Sequence, residues 1–157
     1  MNPKIRKATL SDVPILLEFE QGLINAERPM DITIKDGNIS YYDVREFIKN
    51  DDSELYVVEK NKNIVASGYA KIKQDRAYLK HEKQAYLGFM FVPKMHRGNG
   101  YNKLILNALL KWCKDRKVFE IRLDVYDINN SAIKAYEKVG FKKHMVNMRL
   151  DIENLEF

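Results

Sequence analysis

The feature that most constrains the fold is a glycine-containing segment, residues 92–103, that joins an apolar run to a long amphipathic stretch. Apolar side chains dominate residues 85–92, and Pro93 follows them, which predicts a buried strand that ends there. Residues 100–116 repeat apolar side chains every three to four positions, which predicts a helix with one buried face. A buried strand followed closely by a helix is typical of a sheet covered by helices.

The remaining chain alternates strand-like and helix-like segments in the same way. A first helix is predicted to begin at Ser11, which would cap it, and to give way to a loop over residues 25–39. Gly140 is the expected C-terminal cap of the last helix. Together these elements predict a single α/β domain over residues 1–157. The other strands are predicted at residues 5–8, 54–59, 64–72, 119–125 and 141–150, and the other helices at residues 41–50 and 129–138.

The amino-acid composition limits the cellular compartment that the sequence predicts. Of the 157 residues, 45% are hydrophobic, but the longest apolar runs reach only about five or six residues, too short to span a bilayer. Cys113 is the single cysteine, so neither an intramolecular disulfide nor a cysteine-cluster zinc site can form. The N-terminus is charged and lacks an apolar signal stretch. We therefore expect a cytoplasmic protein with no membrane segment and no metal.

The net charge of +5 is unevenly distributed. Residues 1–83 carry 14 basic and 14 acidic side chains, whereas residues 84–157 carry 13 basic and 8 acidic ones. A basic half fits nucleic acid, an anionic membrane surface or a small polyanionic ligand, or simply a solvated lysine-rich surface. Because acidic residues interrupt the basic ones and no nucleic-acid motif is present, we expect no nucleic-acid partner.

Gly98 and Gly100 stand one residue apart, directly before the predicted helix. Glycines let the backbone turn tightly and approach a ligand, and a helix start offers unpaired N–H groups and a positive dipole end to a phosphate. The alternative is an ordinary strand-to-helix turn. Two known phosphate-binding motifs are excluded. The nucleoside-triphosphate loop ends in Gly-Lys-Ser/Thr, but Tyr101 and Asn102 follow Gly100 here. The dinucleotide-binding motif needs a third glycine at the position that Lys103 occupies.

Two blocks resemble the GNAT N-acetyltransferases. Residues 92–100 are similar to that family's V-x-P-x-x-R-G-x-G pattern, and residues 129–141 are similar to its N-x-x-A-x-x-x-Y-x-x-x-G-F block. The chain departs from the Q/R-x-x-G-x-G/A signature at Asn102, where a small residue is usual. The resemblance spans nearly the whole chain and implies a mixed, mostly antiparallel sheet of about six to seven strands flanked by about four helices.

The resemblance also implies a reaction, the transfer of an acetyl group from acetyl-CoA to a primary amine by direct attack in a ternary complex. Tyr136 would be the general acid for the departing thiolate, and Asn129 would contact the coenzyme. The backbone of Met90, Phe91 and Val92 would pair with the pantetheine arm. The alternatives are a core aromatic for Tyr136, a helix cap for Asn129 and a buried strand for the other three. The pyrophosphate would be held by His96, Arg97, Gly98, Asn99, Gly100, Tyr101, Asn102 and Lys103.

Other roles in the reaction are less specified. A backbone N–H near Phe89 or Met90 would stabilise the oxyanion. The general base remains open among Glu27, His81, Glu82 and a water chain. By the resemblance, residues 22–40 border the acceptor, so Glu27 and Asp31 are the candidates for binding an amine; solvated carboxylates are the alternative. Cys113 is expected to pack in the core and not to act as a nucleophile.

Several functional alternatives stay open. We expect a small-molecule amine as the acceptor, although a protein lysine or N-terminal amine fits the same chemistry. A different class of function is a non-catalytic domain that binds acyl-CoA as a sensor. A homodimer is compatible with the sequence, which carries no interface signature.

Overall fold

The computed structural model describes residues 1–157 and contains two compact units, residues 1–124 and 125–157. The first unit holds one sheet with three helices, and the second holds a single helix followed by an irregular segment. The strands are β1 (Lys4–Lys7), β2 (Ser53–Lys60), β3 (Asn63–Gln74), β4 (Lys83–Phe91) and β5 (Ile121–Arg122), and the helices are α1 (Val13–Glu27), α2 (Val44–Lys49), α3 (Tyr101–Asp115) and α4 (Asn130–Val139).

The five strands lie side by side in the order in which they occur along the chain. The first four pair antiparallel with their neighbours, while β5 pairs parallel to β4. Asn61 and Lys62 form the turn between β2 and β3 with φ angles of 51° and 64°. Such left-handed values match the twist that a two-residue hairpin turn requires, and the strands predicted at residues 54–59 and 64–72 are joined here as a hairpin.

Helices cover both faces of the sheet. On one face, Phe19 of α1 and Val44 of α2 belong to a buried cluster with Tyr69 of β3. On the other face α3 packs so closely against Gly68 that a Cβ at that glycine would collide with a side-chain carbon of Ile105. Adjacent strand residues point to opposite faces, so Gly68 and Tyr69 locate the two helical layers. The α/β class predicted from the sequence is confirmed.

The beginning of α1 differs from the prediction. A short 3-10 turn over residues 10–12 precedes the helix, and Thr9 with Asp12, not Ser11, forms the capping box. The guanidinium of Arg6 donates to both Asp12 carboxylate oxygens at 2.8 and 2.9 Å, and its Nε donates to Glu59 at 2.8 Å. This pairing lowers the pKa of Asp12 and secures the helix start to β1. The helix also continues to Glu27, three residues into the predicted loop.

The helix predicted after the glycine segment is confirmed as α3. Its buried face includes Ile105, Leu109 and Cys113, which is fully inaccessible. Burial raises the pKa of the Cys113 thiol to about 11, so the thiolate is disfavoured. Cys113 is therefore a packing residue, as expected from its spacing.

Two predicted strands are wrong in extent or existence. The strand predicted at residues 119–125 is reduced to the two residues of β5, and residues 141–150 form no strand. A strand requires a neighbouring backbone for its hydrogen bonds, and β5 meets β4 only at Ala85 and Tyr86. The sheet therefore has five strands and not six or seven, whereas the expected four helices are present.

The second unit is organised around α4. The Asn129 side chain caps its start, accepting from the Ala132 N–H at 3.3 Å, and Gly140 ends it with a φ of 118°. Its apolar side chains are only half-buried, and residues 142–157 are exposed. No helix in either unit combines the length and apolar character needed to cross a membrane. No group of three or more His, Cys, Asp or Glu side chains is arranged around a common metal position.

Candidate active site

The edge of β4 opens towards its C-terminal end. Strand β4 pairs with β5 only through Ala85 and Tyr86, while its pairing with β3 continues to Phe91. Beyond Leu87, the backbone on the β5 side of β4 therefore has no strand partner. Unpaired N–H and C=O groups in an extended strand can bind an extended amide-containing ligand by adding it as a further strand.

A bulge bends β4 at this open edge. The register with β3 shifts between Ser67 and Tyr69, and Phe89 adopts a φ of 54°. A non-glycine residue in this region is strained by roughly 1–2 kcal/mol. The Ser67 hydroxyl stabilises the bend by donating to the Phe89 carbonyl at 3.1 Å. The apolar run in the sequence gives no signal of this bulge, because it depends on pairing with β3.

The segment after β4 folds into a compact loop. Arg97 Nε donates to the Val92 carbonyl at 3.1 Å, and the Asn99 side-chain amide donates to the His96 carbonyl at 2.9 Å. Gly98 and Gly100 have φ angles of 79° and 77°, and a Cβ at either would meet nothing within 4 Å. The two glycines are thus required by the backbone conformation, and the space above them is open.

The loop leads directly into the N-terminus of α3. Gly100 precedes the helix, and the Leu104 N–H bonds the Gly100 carbonyl at 3.2 Å. The preceding N–H groups, including those of Asn102 and Lys103, have no upstream carbonyl within a helix and add to the positive dipole end. Tyr101 is buried, so it would contribute its backbone only. Residues predicted from 96 to 103 to bind pyrophosphate therefore lie on one loop and one helix start.

An aromatic layer lies beside the bulge and is not predicted from the sequence. The Tyr42 ring stacks on Phe89 at 5.1 Å between centroids, and the Phe47 ring stacks on Tyr69 at 4.1 Å. Burial is the main cause that raises the pKa of Tyr42, and the neighbouring Tyr69 and Glu27 contribute. Burial also raises the pKa of Tyr69 to about 12. Both hydroxyls therefore remain protonated at neutral pH.

Glu27 lies at the end of α1, close to these tyrosines. Its pKa is raised, first because burial disfavours the ionised carboxyl and also because of the Asp31 charge. A hydrogen bond from the Tyr41 hydroxyl, 2.9 Å from Oε2, opposes this rise. The Asp31 carboxylate itself accepts from the Thr33 N–H at 2.9 Å, within a tight turn. Thus Glu27 and Asp31, predicted as acceptor residues, interact electrostatically.

Glu20 supports this arrangement from inside the protein. It is almost completely buried, and its Oε2 accepts from the backbone N–H groups of Tyr41 at 3.2 Å and Tyr42 at 2.8 Å. The carboxylate thereby holds both tyrosines in the loop that follows α1. Sequence spacing does not reveal this link, because the partners stand about twenty residues apart and nothing in the pattern marks Glu20 as buried.

The other two candidate bases lie in the turn between β3 and β4. His81 Nε2 is 2.6 Å from the Asp75 carboxylate, and Glu82 is exposed. Both residues precede the open stretch of β4 by several positions along the strand. His81 is thus engaged by a local carboxylate, and Glu82 has the solvated setting expected of a surface charge.

Two predicted site residues belong to the second unit. Asn129 caps α4, so the structural alternative for this residue is confirmed. Tyr136 is half-buried on α4, where its ring meets Phe141 edge-on at 5.7 Å. Their roles towards a coenzyme stay predictions.

Two curated human relatives, N-acetyltransferase 8B and N-acetyltransferase 8, are each 28% identical to the chain over 99 residues. The match covers 63% of this chain and 43% of each relative, so the chain spans less than half the length of these curated proteins.

Solved structures match over more of the chain. A mutant of the BH1408 protein from Bacillus halodurans superposes with a TM-score of 0.85 at 24% identity, covering 94% of this chain and 98% of that one. A predicted acetyltransferase from Clostridium acetobutylicum, solved with acetyl-CoA, gives a TM-score of 0.74 at 19% identity, covering 99% and 100%. These likenesses concern the fold. The model of the acetyltransferase (GNAT) family matches residues 23–141, which include the open strand, the glycine loop and α4. The chain therefore belongs to the GNAT acetyltransferase family.

Proposed function

We propose that the chain transfers an acetyl group from acetyl-CoA to a primary amine by direct attack in a ternary complex. The observation that carries the proposal is the unpaired edge of β4, which leads without interruption into the glycine loop and the start of α3. An extended ligand with amides at one end and phosphates at the other fits this sequence of groups. The Clostridium acetobutylicum neighbour, solved with acetyl-CoA, supports the choice of donor.

The coenzyme would be held mainly by backbone. The pantetheine amides would pair with the β4 edge at Met90, Phe91 and Val92, in the way that a peptide adds to a sheet. The pyrophosphate would lie at the glycine loop, where helix N–H groups and cationic side chains favour negative charge. The cationic side chains of this segment are Lys94, His96, Arg97 and Lys103.

Glu27 is the general base in this proposal. A protonated amine has no lone pair, so a proton must leave it before attack. Burial raises the pKa of Glu27 towards the working range of a base at neutral pH. The Glu27 charge helps to raise the pKa of Tyr42, and the Tyr42 ring stacks on Phe89 at the bulge. Glu27 thus acts electrostatically on the ring that stacks on the strand proposed to carry the thioester.

The remaining steps follow from the balance of charge and protons. The amine nitrogen forms a bond to the thioester carbonyl carbon, and negative charge develops on the carbonyl oxygen. A backbone N–H near Phe89 or Met90 would stabilise this charge. The carbon–sulfur bond then breaks, Tyr136 protonates the thiolate, and the proton that the nitrogen loses as the amide forms restores the Tyr136 hydroxyl. Asn129 would contact the coenzyme near the same end.

The acceptor is proposed to be a small cationic amine. Glu27 and Asp31 supply negative charge, and the aromatic rings of Tyr41 and Tyr42 beside them suit an ammonium group. A cytoplasmic location is proposed on the sequence evidence, and a homodimer is proposed only on the resemblance to the family. A protein amine as acceptor is the second possibility that the test below distinguishes.

The test measures thiol release from acetyl-CoA over a panel of small amines, amino-acid derivatives and lysine peptides. We expect acceptor-dependent release with a small amine, and a loss of roughly 10²–10⁴-fold in turnover for Glu27→Gln. The matched control is Glu18→Gln, which changes an exposed carboxyl on the same helix. Thiol release with lysine peptides and with no small amine would identify a protein amine as the acceptor. Acetyl-CoA binding by calorimetry without release for any amine would favour a sensor and contradict the proposal.

A further inference from the structure

We propose that Gln21 and Arg28 are positioning residues that fasten the loop after α1 and thereby hold the Tyr41 hydroxyl on the Glu27 carboxylate. Gln21 belongs to α1, and Arg28 directly follows that helix. The two side chains are here called the loop clamp. Their part in catalysis rests on the proposed function, in which Glu27 is the general base, whereas their effect on Glu27 can be measured without turnover.

Arg28 joins the end of the helix to the loop. Its Nη1 donates to Asn25 Oδ1 at 2.7 Å, which fixes the guanidinium against the last turn of α1. Its Nη2 donates to the carbonyl of Lys35 at 3.1 Å and to the carbonyl of Gly37. A planar guanidinium holds several acceptors in one rigid geometry, which an ammonium group does not. Arg28 therefore fixes the course of the loop relative to the helix.

Gln21 fastens the same loop further along the chain. Its Nε2 donates to the Ile39 carbonyl at 2.7 Å. Tyr41 follows two residues later, and its hydroxyl lies 2.9 Å from Oε2 of Glu27, the residue next to Arg28. The helix end and the loop thus form a closed ring of contacts. The bond between Tyr41 and Glu27 depends on the loop keeping the course that the clamp gives it.

The surroundings of Arg28 favour a positioning role over a stabilising one. Its Nε is buried and has no hydrogen-bond partner in the protein, which disfavours folding. Lys35 and Gly37 are exposed, so water can solvate their carbonyls when Arg28 is replaced. The gain from the Arg28 hydrogen bonds is therefore offset, and their main effect is on the geometry of the loop.

The ionisation of Glu27 reports this geometry. Burial raises the pKa of Glu27, the Tyr41 hydroxyl lowers it, and the Asp31 charge raises it. The loop also brings Tyr42 within the influence of Glu27, whose charge helps to raise the pKa of Tyr42. A hydrogen bond to a carboxylate favours its ionised form. Loosening the loop at Arg28 withdraws the Tyr41 hydroxyl, so the pKa of Glu27 should rise further.

The first experiment follows the Glu27 carboxyl group by carbon NMR during a pH titration. We expect the midpoint to lie at higher pH in Arg28→Met and in Gln21→Met than in the unchanged protein. The matched control Arg45→Met removes an exposed arginine from α2 and should leave the midpoint unchanged. The two clamp variants are independent, so one decides the question if the other does not fold. A folded clamp variant whose midpoint stays in place would overturn the proposal.

The second experiment separates positioning from the direct effect of the Arg28 charge. Loss of a positive charge beside Glu27 would by itself raise the Glu27 midpoint, with or without Tyr41. In a Tyr41→Phe background no hydroxyl remains to be positioned, so Arg28→Met should cause no further rise. Arg28→Lys keeps the charge but lacks the planar fork, and it should raise the midpoint as well. Equal shifts with and without the Tyr41 hydroxyl, or no shift in Arg28→Lys, would refute positioning.

Kinetics connects the clamp to the reaction. The acidic limb of kcat/KM for the amine should move to higher pH in Arg28→Met, in step with the NMR midpoint. A limb that stays in place while the NMR midpoint moves would overturn the part of the clamp in catalysis. An NMR shift in a protein that releases no thiol with any amine would support positioning of Tyr41 on Glu27 and contradict the proposed acetyl transfer.

Discussion

Glu27 carries a carboxyl group whose ionisation the surrounding structure resists. Burial and the Asp31 charge favour its protonated form, while the Tyr41 hydroxyl favours the ionised one, and the pKa is raised on balance. Glu27 therefore lowers the free energy of unfolding at neutral pH, because the folded protein holds the carboxylate where water solvates it poorly. Such a cost is typical of residues kept for chemistry.

The first prediction is that Glu27→Gln stabilises the protein at neutral pH while it removes activity. The folded-state pKa is raised, so ionised Glu27 destabilises the fold above that pKa and the effect vanishes at pH values where the carboxyl is protonated in both states. The thermal midpoint of Glu27→Gln should therefore exceed that of the unchanged protein at pH 7, and the difference should disappear at acidic pH. Equal midpoints at all pH values would contradict the assigned environment.

The second prediction concerns Tyr136. If its hydroxyl protonates the thiolate, Tyr136→Phe should lower turnover roughly 10²–10⁴-fold at saturating acetyl-CoA, with the edge-on contact to Phe141 retained. Steady-state kinetics with an active amine measures the effect, and calorimetry of acetyl-CoA binding serves as the control for folding. Unchanged turnover would remove Tyr136 from the mechanism.

Single residues differ in how well the sequence predicts them. The glycine positions and buried Cys113 are predictable because local spacing and backbone chemistry determine them. Glu20 and Tyr42 are not predictable, because their roles come from a hydrogen bond across about twenty residues and from stacking on Phe89. The positive φ at Phe89 is equally hidden, since it arises from register with β3.

Among the elements, the start of α1 depends on an ion pair to β1. Asp12→Asn is predicted to destabilise the protein by about 1–2 kcal/mol, because it weakens charge-assisted bonds from Arg6 that are partly open to solvent. Arg6 lowers the pKa of Asp12, so the stabilisation exists above the ordinary Asp pKa and is lost as pH falls through the folded-state value. Denaturant unfolding at pH 7 and at acidic pH measures it, with exposed Asp36→Asn as control. No difference between the two variants at pH 7 would refute the role of the pair.

The loop before α3 gives a prediction for binding. Gly100→Ala forces an alanine to a φ of 77° and places a methyl group in the open space where phosphate would approach. Acetyl-CoA affinity should fall at least tenfold. The control Gly37→Ala imposes similar strain at a φ of 84°, also with open space, but lies outside the loop. Calorimetry of acetyl-CoA binding to both variants separates the effect of backbone strain from the loss of contact with the phosphate. Equal affinities of Gly100→Ala and Gly37→Ala for acetyl-CoA would argue against a phosphate site at Gly100.

Elements with strong internal periodicity are predictable, whereas elements that need a partner are not. The α3 stripe and the β2–β3 hairpin are determined within their own segments. The short β5 and the unpaired residues 141–150 show the opposite case, because a strand pattern states only a preference for pairing.

At the scale of the whole molecule, the order of strands and helices determines where the proposed active site lies. Strand β4 ends at the edge that β5 leaves open, and the chain passes through the glycine loop into α3. The loop between α1 and α2, held by Glu20, brings Tyr42 to the same strand at Phe89. Basic residues of the second half of the sequence thus fit the donor, while Glu27 and Asp31 of the neutral half fit the amine.

The most direct test of the proposed acetyl transfer is to follow the acetyl group itself. Acetyl-CoA carrying an isotopic label in the acetyl group is incubated with the protein and the best amine of the panel, and the amine is analysed by mass spectrometry. We predict one labelled acetyl group on the amine nitrogen for each thiol released, with both signals abolished in Glu27→Gln. Thiol release without labelled amine, or label retained on the coenzyme when every amine is present in excess, would contradict the proposed function.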